Sequence, residues 1–329
     1  MKKVFLVLLA ITGMALSAGA QESKTVYVMK NGAVVYHSAV SNIDSIIFYA
    51  PANIAVTGVA LKESALNLSV LSLNTTATLT PVFTPEYATN KTVKWSSSNT
   101  AVATVNETTG LITAVAPGTT TITVTTDDGN KTATCPVTVY TVFDGFDRPD
   151  VAATAGQTPN PIGADWKNLT ATWRITDGQV ACDDWGNKLM THTQVQCSGL
   201  FKVETDVYIN VDDGSNDMWA GIAFSCIDDN NCLVFRISGG TLHMLIRDNG
   251  DWSGIAYQAS VTKGRTWYHF EASSKEETGK FHIKLTLKDT GAVVAEADFT
   301  SEKYWNCGGT AGFYNDNAGL FDNFAFTKF

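Results

Sequence analysis

KWSSSNTAVATVNETTGLITAVAPGTTTITVTT, residues Lys94–Thr126, is written in the period of a β-sheet. Side chains alternate between the two faces of a strand, so Thr121, Thr123 and Thr125 point one way and Ile122 and Val124 point to a core. Trp95 is the one large residue available to anchor that core. Turn signals interrupt the β-branched runs at Asn99, Thr109-Gly110, Pro117-Gly118 and Asp127-Asp128-Gly129-Asn130. Asp128-Gly129 predicts a hairpin joining Thr119–Thr126 to Lys131–Val139, because glycine accepts positive φ without steric cost. Working outward at this spacing, the chain predicts a sandwich of about seven short strands.

The order of these features carries a resemblance. A tryptophan followed by three serines and an asparagine, two short Val/Thr strands, a Gly hinge, and Ala114-x-x-Pro117-Gly118-Thr119 opening an alternating strand resemble the bacterial immunoglobulin-like group 2 domain over Ile54–Tyr140. The resemblance implies an extracellular module. The stretch holds no histidine, no clustered carboxylates and no exposed aromatic run, so a spacer or stalk role is expected, function being a property of sites rather than folds.

Residues 1–20 read as a secretory leader. Lys2 and Lys3 form a positive start, Val4–Ile11 an apolar run and Ala18-Gly19-Ala20 a small-residue cleavage site, with maturation expected near Gln21. The run is too short to span a bilayer and no second apolar segment of about 20 residues follows. No cysteine marks a lipid anchor at the cleavage site, so release to the medium, the cell surface or the periplasm is expected. Without Lys2 and Lys3, the 23 Lys and Arg fall to 21 against 32 acidic residues, a formal charge of −11. That balance disfavours nucleic acid and anionic membranes and favours neutral glycans or proteins as partners.

Six cysteines are compatible with an oxidising compartment. Cys135 has no partner within its own domain, which leaves Cys182, Cys197, Cys226, Cys232 and Cys307. Cys226 and Cys232 flank Asp228–Asn231 closely enough to bridge a hairpin, worth about 2 kcal/mol; the alternative is that all are small buried hydrophobes. No spacing fits zinc.

Two further segments flank the immunoglobulin-like domain of residues 53–140. In residues 21–52, Asn31-Gly32 between alternating apolar runs predicts a β-hairpin, and the closing phrase Ile43–Phe48 resembles a short module at the start of many secreted bacterial surface proteins. Residues 141–329 hold seven of the eight tryptophans and read as strand after strand with no helical interruption. Phe143–Asp150, Thr172–Gly178, Trp219–Phe224 and Gly319–Phe324 together resemble a concanavalin A-like lectin/glucanase jelly roll of the laminin G-like kind. This implies two stacked antiparallel sheets, one concave, with the first and last strands adjacent. The fold class expected is therefore all-β.

The sandwich decides function, and the sequence offers two chemistries. Glucanases of this fold carry Glu-x-Asp-x-x-Glu on one strand, and a hydrolase needs two carboxylates at defined separation. Here Glu204-Thr205-Asp206 is followed by Ile209 where the second glutamate belongs, so no catalytic residue is assigned. A divergent polysaccharide-degrading enzyme working through Glu204, and a structural adhesin recognising a surface protein, are the alternatives. Carbohydrate binding asks for an aromatic face with polar neighbours. The segments Cys182–Lys188 and Arg247–Ser253 have that texture, and give Asp183, Asp184, Trp185, Arg247, Asp248, Asn249 and Trp252 as glycan candidates. Trp173, Trp219 and Trp267 lie in apolar strands and are expected in the core. Adjacent termini would bring Asp144, Asp147 and Asp322 together as calcium ligands, as the resemblance to calcium-containing sandwiches also implies; alternatively Asp144 and Asp147 cap turns. Asp212–Asp217 is a weaker calcium candidate.

Overall fold

The computed structural model describes residues 25–30, 33–39, 53–71, 73–153, 157, 160–182, 184, 186–209, 219–238, 241–255, 261, 265–316 and 319–329. The leader, the Asn31-Gly32 turn, Asp183, Trp185 and the loop 212–217 lie outside them. Two compact units emerge, Met1–Asn53 and Ile54–Phe329. In the first, Thr25–Lys30 pairs antiparallel with Ala33–Ala39, with an irregularity at Val28/Met29.

Trp95 organises the start of the second unit. It is 6% exposed among Leu68, Ile112, Ile122, Val124, Val137 and Val139. A Cβ on Gly110 would sit 2.8 Å from the Trp95 indole, and Gly110 also has φ +70°, so glycine is required there twice over. Thr121, Thr123 and Thr125 alternate with buried Ile122 and Val124 as the pattern requires. Gly118–Thr126 pairs with Thr132–Tyr140 across a turn in which Gly129 and Asn130 take positive φ. A four-stranded sheet packs with two- and three-stranded sheets, nine strands from Gly58–Leu61 to Thr132–Tyr140 against the expected seven.

From Val142 onward the chain forms two larger sheets of nine and seven strands. Their facing surfaces enclose Trp166, Trp173, Phe201, Phe224, Phe235, Phe270, Phe281 and Phe313. Phe313 alone lies within about 6 Å of the rings of Phe146, Trp166, Trp173, Phe321 and Phe324, and such ring pairs add to area burial. The first strand, Val142–Asp144, pairs antiparallel with the last, Gly319–Lys328. A single short helix, Glu302–Trp305, occurs among the described residues.

No loop separates the two sandwiches. Thr132–Tyr140 runs into Val142–Asp144, and the amides of Val70 and Leu71 donate to the carbonyls of Tyr140 and Thr141 at 3.0 Å each. Tyr140 stacks on Phe143 with centroids 5.3 Å apart. The immunoglobulin-like domain therefore joins the sandwich through one residue, Thr141, at a bend between the two strands.

Candidate functional site

On the seven-stranded sheet, alternation sends Ala220, Ile222 and Phe224 into the inter-sheet core and Trp219, Gly221 and Ala223 to the opposite, outer face. The same parity places Cys232, Val234 and Arg236 there from Asn231–Ser238, and His243, Leu245 and Arg247 from Thr241–Asp248. Tyr314 joins from Gly309–Asp316 and Trp252 from Asp251–Ile255. Register sets Tyr314, Gly221, Arg236 and His243 in one row across four strands.

Gly221 has no side chain, so the Arg236 guanidinium lies across its strand and donates from Nη1 to the Tyr314 hydroxyl at 2.6 Å. The Tyr314 hydroxyl in turn donates to Asn187 Oδ1. Burial pushes the Tyr314 phenol up to about 12, which keeps this proton in place at neutral pH. The Arg236 guanidinium carbon stands 4.0 Å from the Trp219 ring centroid, 5.2 Å from Tyr314 and 5.7 Å from Trp252. Arg247 stands 5.3 Å from the Trp252 ring centroid and donates to the Asp229 carbonyl at 2.6 Å. Trp252 meets Tyr314 edge to face at 5.9 Å. Burial first, and the Arg236 charge second, hold His243 below its ordinary range, so it is neutral at physiological pH. The result is a ladder of three aromatic rings interleaved with two guanidiniums, half-buried except for the fully buried Tyr314.

The sequence-derived candidates distribute unevenly around this face. Arg247 and Trp252 sit on it, in paired strands of a hairpin rather than in a loop. Asp248 and Asn249 lie at the hairpin tip, where Asp248 pairs with Lys303 at 2.5 Å and the Asn249 amide donates to Asn231. Asp184 accepts the Thr172 amide at 2.6 Å and so ties its segment to the start of the strand Trp173–Thr176. The neighbouring Gly186 donates to Asp316 at 2.5 Å, and with Asn187 on Tyr314 this brings residues 186–187 to the edge of the ladder.

Two of the expected core tryptophans are elsewhere. Trp173 is fully buried between the sheets as expected. Trp219 faces outward beneath Arg236, and Trp267 lies half-buried beside Tyr208 and Lys288 on the outer face of the nine-stranded sheet. Arg236, Trp219 and Tyr314 are the members of the ladder that the sequence reading does not assign. A signal existed: Arg236 is a lone charge in the apolar run Cys-Leu-Val-Phe-Arg-Ile.

Two of the three calcium candidates have partners within the protein. Asp144, 2% exposed, receives Arg148 on both carboxylate oxygens at 2.7 and 2.8 Å, the Trp166 indole at 2.8 Å and the Phe146 amide at 2.9 Å. Two donors on each oxygen occupy the acceptor sites of this carboxylate and leave it no lone pair for a hard cation. Asp322 is bonded by the backbone and side chain of Asn323. Burial raises its pKa, with Asp206 and Asp147 adding to the effect.

The other notable cluster occupies the outer face of the nine-stranded sheet. His269 Nδ1 lies 2.9 Å from Asp206 and its Nε2 3.5 Å from Glu204; Lys202 pairs with Glu204 at 2.9 Å and Lys288 with Asp206 at 2.7 Å. Burial pushes both carboxylates up, but the hydrogen bonds from His269 and the lysines outweigh it and hold both below their ordinary values. A general acid needs the opposite shift. Glu204 is therefore built as an ion-pair partner, and it lies on a different sheet from the aromatic ladder.

His269 opposes burial through the same contacts and rises from 6.5 to about 9. Below pH 6.5 it is charged whether folded or unfolded, so its stabilisation is complete there and drains away as pH rises toward 9. Thermal melts are expected to show Tm falling between pH 6.5 and 9, with the fall diminished in His269→Gln. A flat profile over this window in the unsubstituted chain would refute the coupling.

No disulfide joins the six cysteines, five of which are buried and Cys307 half-buried. They behave as small apolar residues; burial lifts Cys197 to about 12. No helix among the described residues is long and apolar enough to cross a membrane.

Comparison with known proteins agrees with the immunoglobulin-like reading of the first sandwich. Residues 55–137 match the bacterial Ig-like domain (group 2). An Ig-like virion protein of Serratia phage KSP90 is 47% identical over 86 residues, covering 26% of this chain and 32% of that protein. A Clostridium acetobutylicum protein of uncharacterised role is 38% identical over 149 residues, 42% of this chain and 15% of the other. The chain thus spans a third or less of the length of these two relatives. Among solved structures, the carbohydrate-binding module CBM66 from Bacillus subtilis superposes with a TM-score of 0.39 at 19% identity, over 50% of this chain and 96% of that one.

Proposed function

We propose that this chain binds carbohydrate on the outer face of the seven-stranded sheet, outside the cell, with the immunoglobulin-like domain as a spacer. One observation carries the reading: half-buried Trp219 and Trp252 lie with Arg236 and Arg247 on a sheet face turned away from the core, with buried Tyr314 packed against them. Aromatic rings pack against the C–H faces of sugars while guanidinium and amide groups satisfy hydroxyls. The leader-like residues Lys2–Ala20 and the thin charge of the chain, 17% of residues, suit an exported glycan-facing protein. The short junction at Thr141 ties the sandwich closely to the immunoglobulin-like domain.

The test is a glycan array probed with the full chain, followed by titration calorimetry on the best ligand. Trp252→Ala and Trp219→Ala are each expected to weaken binding about tenfold or more, with an unchanged far-ultraviolet spectrum. No glycan bound, or a glycan bound equally well by both variants, would overturn the assignment.

A further inference from the structure

Arginines on a protein this acidic ordinarily have carboxylates to meet. The chain carries 32 acidic residues against 23 basic. Lys202, Lys288, Lys275, Lys303 and Arg148 each lie within 4.0 Å of a carboxylate. Arg236 and Arg247 do not: among the described residues neither forms an ion pair, and their hydrogen bonds go to a neutral hydroxyl and a backbone carbonyl. The Nε atom of each is buried with no hydrogen-bond partner, as is that of Arg148, whose charge however is met by Asp144. Half-burying a guanidinium without a counter-charge within ion-pair range and with a donor unmet carries a cost, and the cost is relieved when an anion arrives.

The surroundings sharpen this. Asp316 is the carboxylate that acts on Arg236 through space, but it accepts the Gly186 amide and stands outside ion-pair range. Asp228, which feels Arg247, is bonded to Asn230 and Asn231. His243, beside Arg236 in the row, is neutral and brings no negative charge. Both guanidiniums lie within 6 Å of the same Trp252 ring, so they converge on one sugar-sized region. A planar fork of N–H donors matches a carboxylate or a sulfate, and a neutral hydroxyl needs neither its charge nor two copies of it.

Resting on the carbohydrate reading above, we infer that the ligand is an acidic glycan, whose carboxylate or sulfate ester is taken by Arg236 and Arg247 while its ring packs on Trp252. This replaces the neutral glycan suggested by net charge: a formal charge of −9 is a property of the whole surface, and recognition is decided within a few ångströms of the site.

Matched pairs test it. The full chain is titrated with oligogalacturonate and its methyl ester, and with a sulfated galactan and its desulfated form; the first pair reports a carboxylate and the second a sulfate. At least one acidic member is expected to bind about tenfold or more tighter than its neutral partner. Arg236→Gln is expected to erase that preference. Arg247→Gln, nearer the hairpin end, provides the second variant should the first fail to fold, and is expected to reduce the preference. Arg236→Lys keeps the charge without the fork, and is expected to retain the preference at lower affinity. Binding of the neutral members as tightly as the acidic ones overturns the acidic ligand and leaves the carbohydrate reading standing. Failure of every glycan, acidic or neutral, overturns both.

Discussion

Arg148→Ala is expected to destabilise the second unit by about 3–5 kcal/mol, the cost of removing one partner of a buried ion pair. The substitution leaves Asp144, 2% exposed, with only the Trp166 indole and the Phe146 amide against its charge. Arg148 reaches it because Phe146 takes φ +54°, a conformation that bulky residues rarely adopt, and turns the chain back on itself. At roughly 2–4 °C per kcal/mol for a domain of this size, Tm falls by roughly 6–20 °C. Calorimetric or circular-dichroism melts of the full chain measure it. Asp144→Asn combined with Arg148→Ala is expected to recover much of the loss, because the damage is an unpaired charge rather than a missing contact. A fall in Tm of less than about 2 °C for Arg148→Ala would show that Asp144 finds another partner or a proton at little cost.

The same corner shows what a sequence makes legible and what it withholds. Phe143–Asp150 is readable as the edge where the chain enters its sandwich, because Val142–Asp144 carries the strand pattern that pairs with Gly319–Lys328. The acidic residues there suggest calcium. Their fate hinges on the left-handed turn at Phe146, which brings Arg148 onto Asp144 across four residues outside any helix. Nothing in composition encodes that reach. The Trp95 domain is more transparent, because Gly110, Gly118 and the Asp128-Gly129 turn each perform a backbone task that only a few residues can perform.

The site is half legible for a related reason. Arg247 and Trp252 flank an Asn-Gly turn and advertise themselves. Trp219 is hidden in Trp-Ala-Gly-Ile-Ala-Phe, a run that reads as buried on both faces, and in a sense it is: Ala223, Val234, Leu189 and Tyr314 form a second apolar layer outside the sheet. A strand covered on both sides loses the alternation that would show which tryptophan faces the core. Parity decides it once Ile222 and Phe224 are placed inside, and Arg236, two residues from Val234, then falls on the same outer face.

Gly221→Ala joins the fold to the site. An added Cβ would lie 2.0 Å from the Phe235 carbonyl oxygen and 2.7 Å from the Arg236 Cα, both backbone atoms that no rotamer change can move. The strand Asn231–Ser238 has to shift away, and its pairing with Trp219–Asp228 weakens along the centre of the sheet. The loss is expected to reach about 3 kcal/mol, the upper end for overpacking, since backbone rather than a side chain must yield. The shift also displaces Arg236 from the groove that Gly221 leaves open toward Tyr314, and with it the 4.0 Å stack on Trp219. Binding is therefore expected to fall further than the unfolded fraction explains, as titration well below Tm would reveal. A variant that melts lower yet binds with full affinity when folded would separate the two effects, and would mean that the ladder of Trp219, Arg236, Tyr314 and Trp252 is held by the outer loops rather than by the sheet beneath it.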